Sequence, residues 1–120
     1  MNKKRVVVVC PGRGSYTRET SNYLNNSLPE MDEYIKTFDT KRAAGNLIKI
    51  SELDKTTFRA KTHMTGENAS SLIYSCSLND FISINKNKYD IVAICGNSVG
   101  WYISLALGNS ITFENGYDII

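Results

Sequence analysis

The chain has 120 residues, of which 42% are hydrophobic and 22% charged, a balance typical of one ordinary globular domain. Its net charge of +2 at pH 7 is too small to indicate a nucleic-acid partner, and no apolar run approaches the roughly 20 residues of a membrane helix. Three cysteines without CxxC spacing, together with one histidine, favour a reducing cytoplasm and predict neither disulfides nor a metal site.

The first predicted element is a strand over residues 5–10. Its four consecutive valines are β-branched and apolar on both faces, as expected of a buried parallel strand. Pro11 and Gly12 end it. Thr17 is predicted to cap a helix that runs to about residue 26. Ser27 is predicted to cap a second helix, with Pro29 in its first turn and one apolar face.

In the middle of the chain, some segments show a clear secondary-structure pattern and others do not. Residues 41–49 show no clear pattern, and Ser51 is predicted to cap a short helix. Residues 59–67 are polar, which predicts a loop and an exposed His63. Asn68 is then predicted to cap a helix with one apolar stripe.

A second strand is predicted over residues 89–95, where four apolar residues follow one another. A helix follows from Val99 to Leu107, ended by Gly108, and Thr112 caps a last helix. Strands that alternate with helices predict an α/β fold, a parallel sheet with flanking helices. Only two strands are clear, and two strands alone do not make a stable sheet.

The motif Gly-Asn-Ser-Val-Gly, residues 96–100, lies between that strand and helix, which is the context of a nucleophile elbow. Side chains at Gly96 and Gly100 would collide with the neighbouring strand and helix, so glycine fits both places. We therefore predict that Ser98 is a nucleophile that forms an acyl-enzyme. The N–H of Val99, at the helix N-terminus, is a natural oxyanion donor. The alternative is a glycine-rich turn in which Ser98 only caps the helix.

A second motif, Pro-Gly-Arg-Gly-Ser at residues 11–15, follows the first strand, and we call it the glycine loop. Its backbone N–H groups could bind an oxyanion or a phosphate, and the alternative is a simple tight turn. No Gly-Lys-Ser/Thr follows, and Thr17 stands where a dinucleotide fingerprint has its third glycine. An acyl-transfer site takes one donor after the nucleophile and another from a different strand's loop, so the two motifs support each other.

The general base is the missing part of this site. A serine hydroxyl is a poor nucleophile without a base, and elbow enzymes place a histidine downstream of the serine. No histidine follows Ser98, and His63 lies 35 residues upstream. We interpret His63 as an exposed loop residue rather than as the base.

Together the two motifs resemble one family, the malonyl-CoA:acyl carrier protein transacylases and the acyltransferase domains of polyketide synthases. That family's first strand ends in Pro-Gly-Gln-Gly-Ser-Gln, where residues 11–16 here are Pro-Gly-Arg-Gly-Ser-Tyr. Its elbow is Gly-His-Ser-Leu-Gly-Glu-Tyr, where residues 96–102 are Gly-Asn-Ser-Val-Gly-Trp-Tyr. Residues 107–116 resemble the family's continuation. The resemblance spans essentially the whole chain, and residues 41–67 are its least recognisable part.

This resemblance implies acyl transfer in fatty acid or polyketide biosynthesis, with acyl-CoA as substrate and no cofactor. Ser98 would take the acyl group from coenzyme A and pass it to the phosphopantetheine thiol of an acyl carrier protein. The backbone N–H groups of Arg13 and Val99 would form the oxyanion hole. The residues that would support the elbow and the loop are Gly12, Gly14, Gly96, Asn97 and Gly100.

Three departures from the family pattern matter. Asn97 replaces a histidine and Trp101 replaces a glutamate, which suggests a divergent branch with altered acyl choice. The family's catalytic histidine, the arginine that pairs with a malonyl carboxylate and a small ferredoxin-like subdomain all lie beyond residue 120. We therefore expect residues 1–120 to be the N-terminal part of one acyltransferase domain, an incomplete α/β-hydrolase-like large subdomain. Such a piece would be inactive alone and would expose apolar surface on one face of its strands.

Three other readings remain open. A serine esterase or thioesterase of the α/β-hydrolase type would share the elbow, but it would typically draw its second oxyanion donor from a later strand loop. A non-catalytic remnant that binds a carrier protein would explain the missing histidine, although the intact elbow argues against it. A nucleotide-binding Rossmann fragment has only the glycine loop in its favour.

Overall fold

The computed structural model describes residues 2–120, which form a two-stranded parallel sheet with helices packed against it. Strand β1 is Lys4–Cys10 and strand β2 is Tyr89–Gly96. The helices are α1 (Pro29–Ala44), α2 (Ile50–Lys55), α3 (Ala60–His63), α4 (Gly66–Ile82), α5 (Val99–Leu107) and α6 (Phe113–Ile119). The prediction of an α/β fold with a parallel sheet and flanking helices is confirmed. No helix within residues 2–120 combines the length and apolarity needed to cross a membrane.

The register between the two strands shifts by one residue. Val6 lies opposite Ile91 but Val7 lies opposite Ala93, so Val92 has no partner in β1. This β-bulge allows Ile91 and Ile94, which are three positions apart, both to pack against the core.

Helix α4 is the centre of the core. Its residues Leu72, Tyr74 and Leu78 are fully buried, and they share one cluster with Phe38 of α1 and Ile103 of α5. Burial of large apolar side chains against a central helix supplies most of the stability of a domain this small.

Only one face of the sheet is covered. Val8 packs against the core, whereas the side chains that alternate with it are exposed, Val7 by 54% and Val9 by 70%. Val92 of β2 is also 43% exposed. The prediction that the valine strand is buried on both faces is therefore wrong for these residues, because no layer within residues 2–120 covers the second face.

Several predicted helix starts are wrong, while those of α5 and α6 are confirmed. Residues 17–26 form two short 3-10 turns, Arg18–Thr20 and Tyr23–Asn26, because Asn22 between them has a left-handed φ of 65°. Helix α6 begins after Thr112, whose hydroxyl accepts a hydrogen bond from the N–H of Asn115 (3.1 Å).

The other predicted caps are replaced by neighbouring groups. Helix α1 follows Leu28 rather than Ser27, and α4 is capped by Thr65, whose hydroxyl accepts the N–H of Asn68. Helix α2 receives its cap from outside its own sequence, because the Asp39 carboxylate on α1 accepts the N–H of Ile50 (2.7 Å). Such a long-range cap leaves no local pattern in the sequence.

Candidate active site

Ser98 lies between the end of β2 and the start of α5 in a strained backbone conformation, with φ of 58° and ψ of −129°. L-residues with a side chain rarely adopt a positive φ, and such strain is concentrated at functional sites. The turn is closed by hydrogen bonds from the N–H of Gly100 to the Asn97 carbonyl (2.9 Å) and from that of Trp101 to the Ser98 carbonyl (3.0 Å). This is the strand–turn–helix geometry that the motif predicts.

The two glycines of the elbow are required by space. A Cβ atom at Gly96 would overlap the backbone of Gly100, and a Cβ at Gly100 would lie 2.6 Å from the carbonyl oxygen of Pro11. Side chains in this position would push β2, α5 and the end of β1 apart. The structure therefore agrees with the prediction that side chains at Gly96 and Gly100 would collide with the neighbouring strand and helix. It also shows that a side chain at Gly100 would collide with the end of β1.

The glycine loop lies directly against the elbow. A Cβ at Gly12 would lie 3.1 Å from the Asn97 carbonyl oxygen and 3.4 Å from the Cβ of Ser98. Gly14 has a φ of 93°, which favours glycine for its conformation rather than for space. The hydroxyl of Ser15 donates to the Gly12 carbonyl (3.0 Å) and closes the loop. The structure thus brings together the two motifs that the sequence places 81 residues apart, counted from Ser15 to Gly96.

A buried anchor fixes the far end of this loop. The hydroxyl of Tyr16 donates to the Asp54 carboxylate (2.9 Å), whose other oxygen accepts the N–H of Leu24 (2.9 Å). Tyr16 and Asp54 are each 2% exposed, and burial together with the Asp54 bond raises the pKa of the Tyr16 phenol well above its usual range. Sequence reasoning missed both residues, and an aromatic residue directly after a polar loop was the only available signal.

Two backbone donors are available beside Ser98. Val99 is the first residue of α5, so its N–H has no acceptor within the helix. The N–H of Arg13 makes no hydrogen bond to any group in the described part of the chain. The positive end of the α5 dipole adds to the local preference for negative charge. The two residues predicted to form an oxyanion hole therefore keep free backbone donors, and that role stays a prediction.

Arg13 and Ser98 line one open cleft of about 590 Å³. Trp101 and Tyr102 form its wall, with their rings edge-to-face at a centroid distance of 5.2 Å. No histidine, aspartate or glutamate of residues 2–120 lines this cleft, and Arg13 is the charged side chain that does. The cleft thus presents a serine and donors without a general base.

His63 lies elsewhere in the structure. It is 1% exposed at the end of α3, so the prediction of an exposed loop histidine is wrong. Its Nδ1 accepts the N–H of Arg59 (3.0 Å), its Nε2 lies 2.8 Å from the carbonyl oxygen of Leu53, and its ring stacks on Phe58 at 5.1 Å. Both ring nitrogens are occupied within the core, which makes His63 a structural residue.

The three cysteines differ in exposure. Cys10 is buried, and burial raises its pKa to about 11, whereas Cys95 is exposed. No group of three or more His, Cys, Asp or Glu side chains within residues 2–120 is arranged to hold a metal ion.

Comparison with known proteins shows which solved structure has a similar fold. No protein-family model matches the chain, and no curated protein sequence does. The chain has part of an acyltransferase fold: it is similar to the crystal structure of the acyl-carrier-protein S-malonyltransferase from Burkholderia pseudomallei 1710b, with a TM-score of 0.70 and 19% identity. The likeness covers 97% of this chain but only 36% of that protein, and at this identity it shows the fold alone.

Proposed function

We propose that residues 1–120 are the N-terminal part of an acyltransferase domain, an incomplete α/β-hydrolase-like large subdomain. In that domain Ser98 takes an acyl group from a coenzyme A thioester and passes it to the phosphopantetheine thiol of an acyl carrier protein. One observation carries the proposal: Ser98 lies at a strained elbow with the glycine loop against its Cβ, in a fold similar to part of a malonyltransferase. The products would serve fatty acid or polyketide biosynthesis.

The proposed chemistry uses the groups at the elbow. The Ser98 hydroxyl oxygen attacks the thioester carbonyl while a base takes its proton, and the negative charge develops on the carbonyl oxygen. The N–H groups of Arg13 and Val99 stabilise that oxyanion. The coenzyme A thiolate leaves with the proton from the base, and the carrier thiol then reverses these steps. The base is proposed to come from outside residues 1–120, together with the small ferredoxin-like subdomain.

A cysteine substitution tests the elbow without its base. Cysteine ionises near pH 8.5 and nearer neutrality at a helix N-terminus, so a Ser98→Cys protein needs no histidine to attack a thioester. Incubated at pH 8 with acetyl-CoA or malonyl-CoA, it should acquire an acyl group at residue 98, located by peptide mass spectrometry. Donors at the oxyanion are worth roughly a hundredfold or more in rate, so position 98 should react about a hundredfold faster than exposed Cys95.

The native cysteines make the Ser98→Ala protein a matched control, since it carries the same three thiols. Equal acylation of Cys95 and of the introduced cysteine would overturn the proposal. The unsubstituted 120-residue chain should show no acyl transfer from malonyl-CoA. Turnover by that chain, lost in the Ser98→Ala protein, would show that a base is present after all.

The lack of a base in the cleft also favours a second candidate, a non-catalytic remnant that binds a carrier protein. Such a remnant has no reason to accelerate acylation at residue 98, so the cysteine experiment separates the two. An esterase or thioesterase would instead release the acyl group to water rather than to a carrier thiol.

A further inference from the structure

Two large aromatic side chains stand exposed beside the proposed nucleophile. Trp101 is 56% exposed and Tyr102 is 47% exposed, although both belong to α5, whose other face is buried in the core. Neither the indole N–H nor the phenol makes a hydrogen bond with another group in residues 2–120. Leaving such surface in water is unfavourable, and exposed aromatic patches in a cleft mark places where a ligand binds.

Their position relates them to the reaction. Trp101 and Tyr102 follow Ser98 by three and four residues, so they stand one helical turn along α5 on the side of the proposed nucleophile. The same cleft is lined by Val99 and by Ile119, which is 51% exposed. A group attached to a carbonyl under attack by Ser98 would therefore meet ring faces and aliphatic side chains.

We propose that this aromatic wall, Trp101 and Tyr102, receives an apolar acyl chain, so that the site prefers medium-length unsubstituted acyl thioesters over acetyl or malonyl thioesters. This inference rests on the proposed acyl transfer. The pantetheine arm suits the wall less well, because its amides would lose water hydrogen bonds against ring faces. Arg13 is the competing feature, since its guanidinium would favour a carboxylate on the acyl group.

Binding affinities, measured in a protein that cannot be acylated at residue 98, test the preference for longer acyl chains. The Ser98→Ala protein is titrated by calorimetry with octanoyl-CoA, acetyl-CoA, malonyl-CoA and free coenzyme A. Each fully buried methylene raises affinity about fourfold, and the half-exposed wall desolvates part of the chain, so octanoyl-CoA should bind at least about tenfold more tightly than the others. Trp101 is the one tryptophan in the sequence, so its fluorescence should change with octanoyl-CoA and reports the cleft directly.

Variants locate the site. In the Ser98→Ala background, Trp101→Ala and Tyr102→Ala should each reduce octanoyl-CoA affinity about tenfold and leave free coenzyme A unchanged. Ile48→Ala is the matched control, because it removes an apolar side chain that is 44% exposed outside the cleft and should change nothing. Circular dichroism confirms that each variant is folded.

Five outcomes would overturn the inference. Four are no binding of any thioester, equal affinities, tightest binding of malonyl-CoA, and octanoyl-CoA affinity insensitive to both aromatic variants. The fifth is an equal loss of octanoyl-CoA and free coenzyme A affinity in those variants, which would assign the wall to the pantetheine arm. Acylation is not needed for any of these measurements. Failure of the acyl preference is therefore distinguishable from failure of acyl transfer, which the cysteine experiment reports.

Discussion

At the scale of single residues, Gly100 is where three segments meet. Its Cα lies so close to the carbonyl groups of Cys10 and Pro11 that a side chain would displace the end of β1 or the start of α5. These neighbours are backbone atoms, which cannot rotate away as a side chain could. The contact explains how the elbow and the glycine loop are held in one arrangement.

We expect Gly100→Ala to destabilise the chain by about 3 kcal/mol or more, because overpacking against backbone costs at least this much. Gly66→Ala is the matched control, since Gly66 begins α4, has an ordinary φ and would place its Cβ in open space. That substitution should be neutral or stabilise the chain by up to about 1 kcal/mol. Urea unfolding measures both, and similar values for the two would contradict the crowding at Gly100.

The elbow and the glycine loop were predictable because each is a short, continuous motif that directly follows an apolar strand. The anchor of the loop was not, since Tyr16 and Asp54 are 38 residues apart and only the folded chain brings them together. His63 was mistaken for an exposed residue because its polar neighbours hide the burial that tertiary packing imposes on it.

At the scale of elements, a single arginine joins α1 to α4. Arg42 is 1% exposed, and its guanidinium donates to the Ser71 hydroxyl (2.9 Å), to the Asn68 side chain, to the Glu67 carbonyl (3.3 Å) and to the Ile48 carbonyl. These acceptors are neutral, and their number compensates for burying the charge. The segment around residues 41–49, which shows no clear sequence pattern, is organised by this side chain.

Arg42→Lys should destabilise the chain by about 2–3 kcal/mol, because an ammonium cannot satisfy acceptors arranged for a planar guanidinium. Arg5→Lys, at an exposed position in β1, is the control and should change stability by less than about 0.5 kcal/mol. Chemical denaturation of both proteins checks the difference. A loss at Arg42 no larger than that at Arg5 would show that the buried bonds contribute little.

At the scale of the whole molecule, the helices cover only one side of the sheet. Val7 and Val9 of β1 and Val92 of β2 leave an apolar strip exposed on the other side. The expectation of exposed apolar surface on one face of the strands is confirmed. No layer within residues 2–120 covers this face. The resemblance predicts the exposure, whereas the strand pattern favours burial on both faces.

The double variant Val7→Thr/Val9→Thr should reduce self-association of the purified chain. Threonine keeps the branched shape that suits a strand while it removes apolar surface from water. Sedimentation velocity over a concentration series and binding of a hydrophobic dye should both decrease. Ile48→Thr removes an exposed apolar side chain away from the sheet and should leave association unchanged. Equal effects of the two changes would mean that association does not involve the sheet.

The unpaired Val92 has a consequence for how this site can be transplanted. Without the bulge, Cys10 would lie opposite Cys95 rather than Gly96, and the loop and elbow would be offset along the strands by about 3.3 Å. The glycine loop would then no longer lie against the Asn97 carbonyl and the Cβ of Ser98. In a chimera with β1 from one protein and β2 from another, the two motifs are offset in this way unless β2 keeps the extra residue of the bulge. Both strands must therefore be transferred together, because the register between them sets the position of one motif relative to the other.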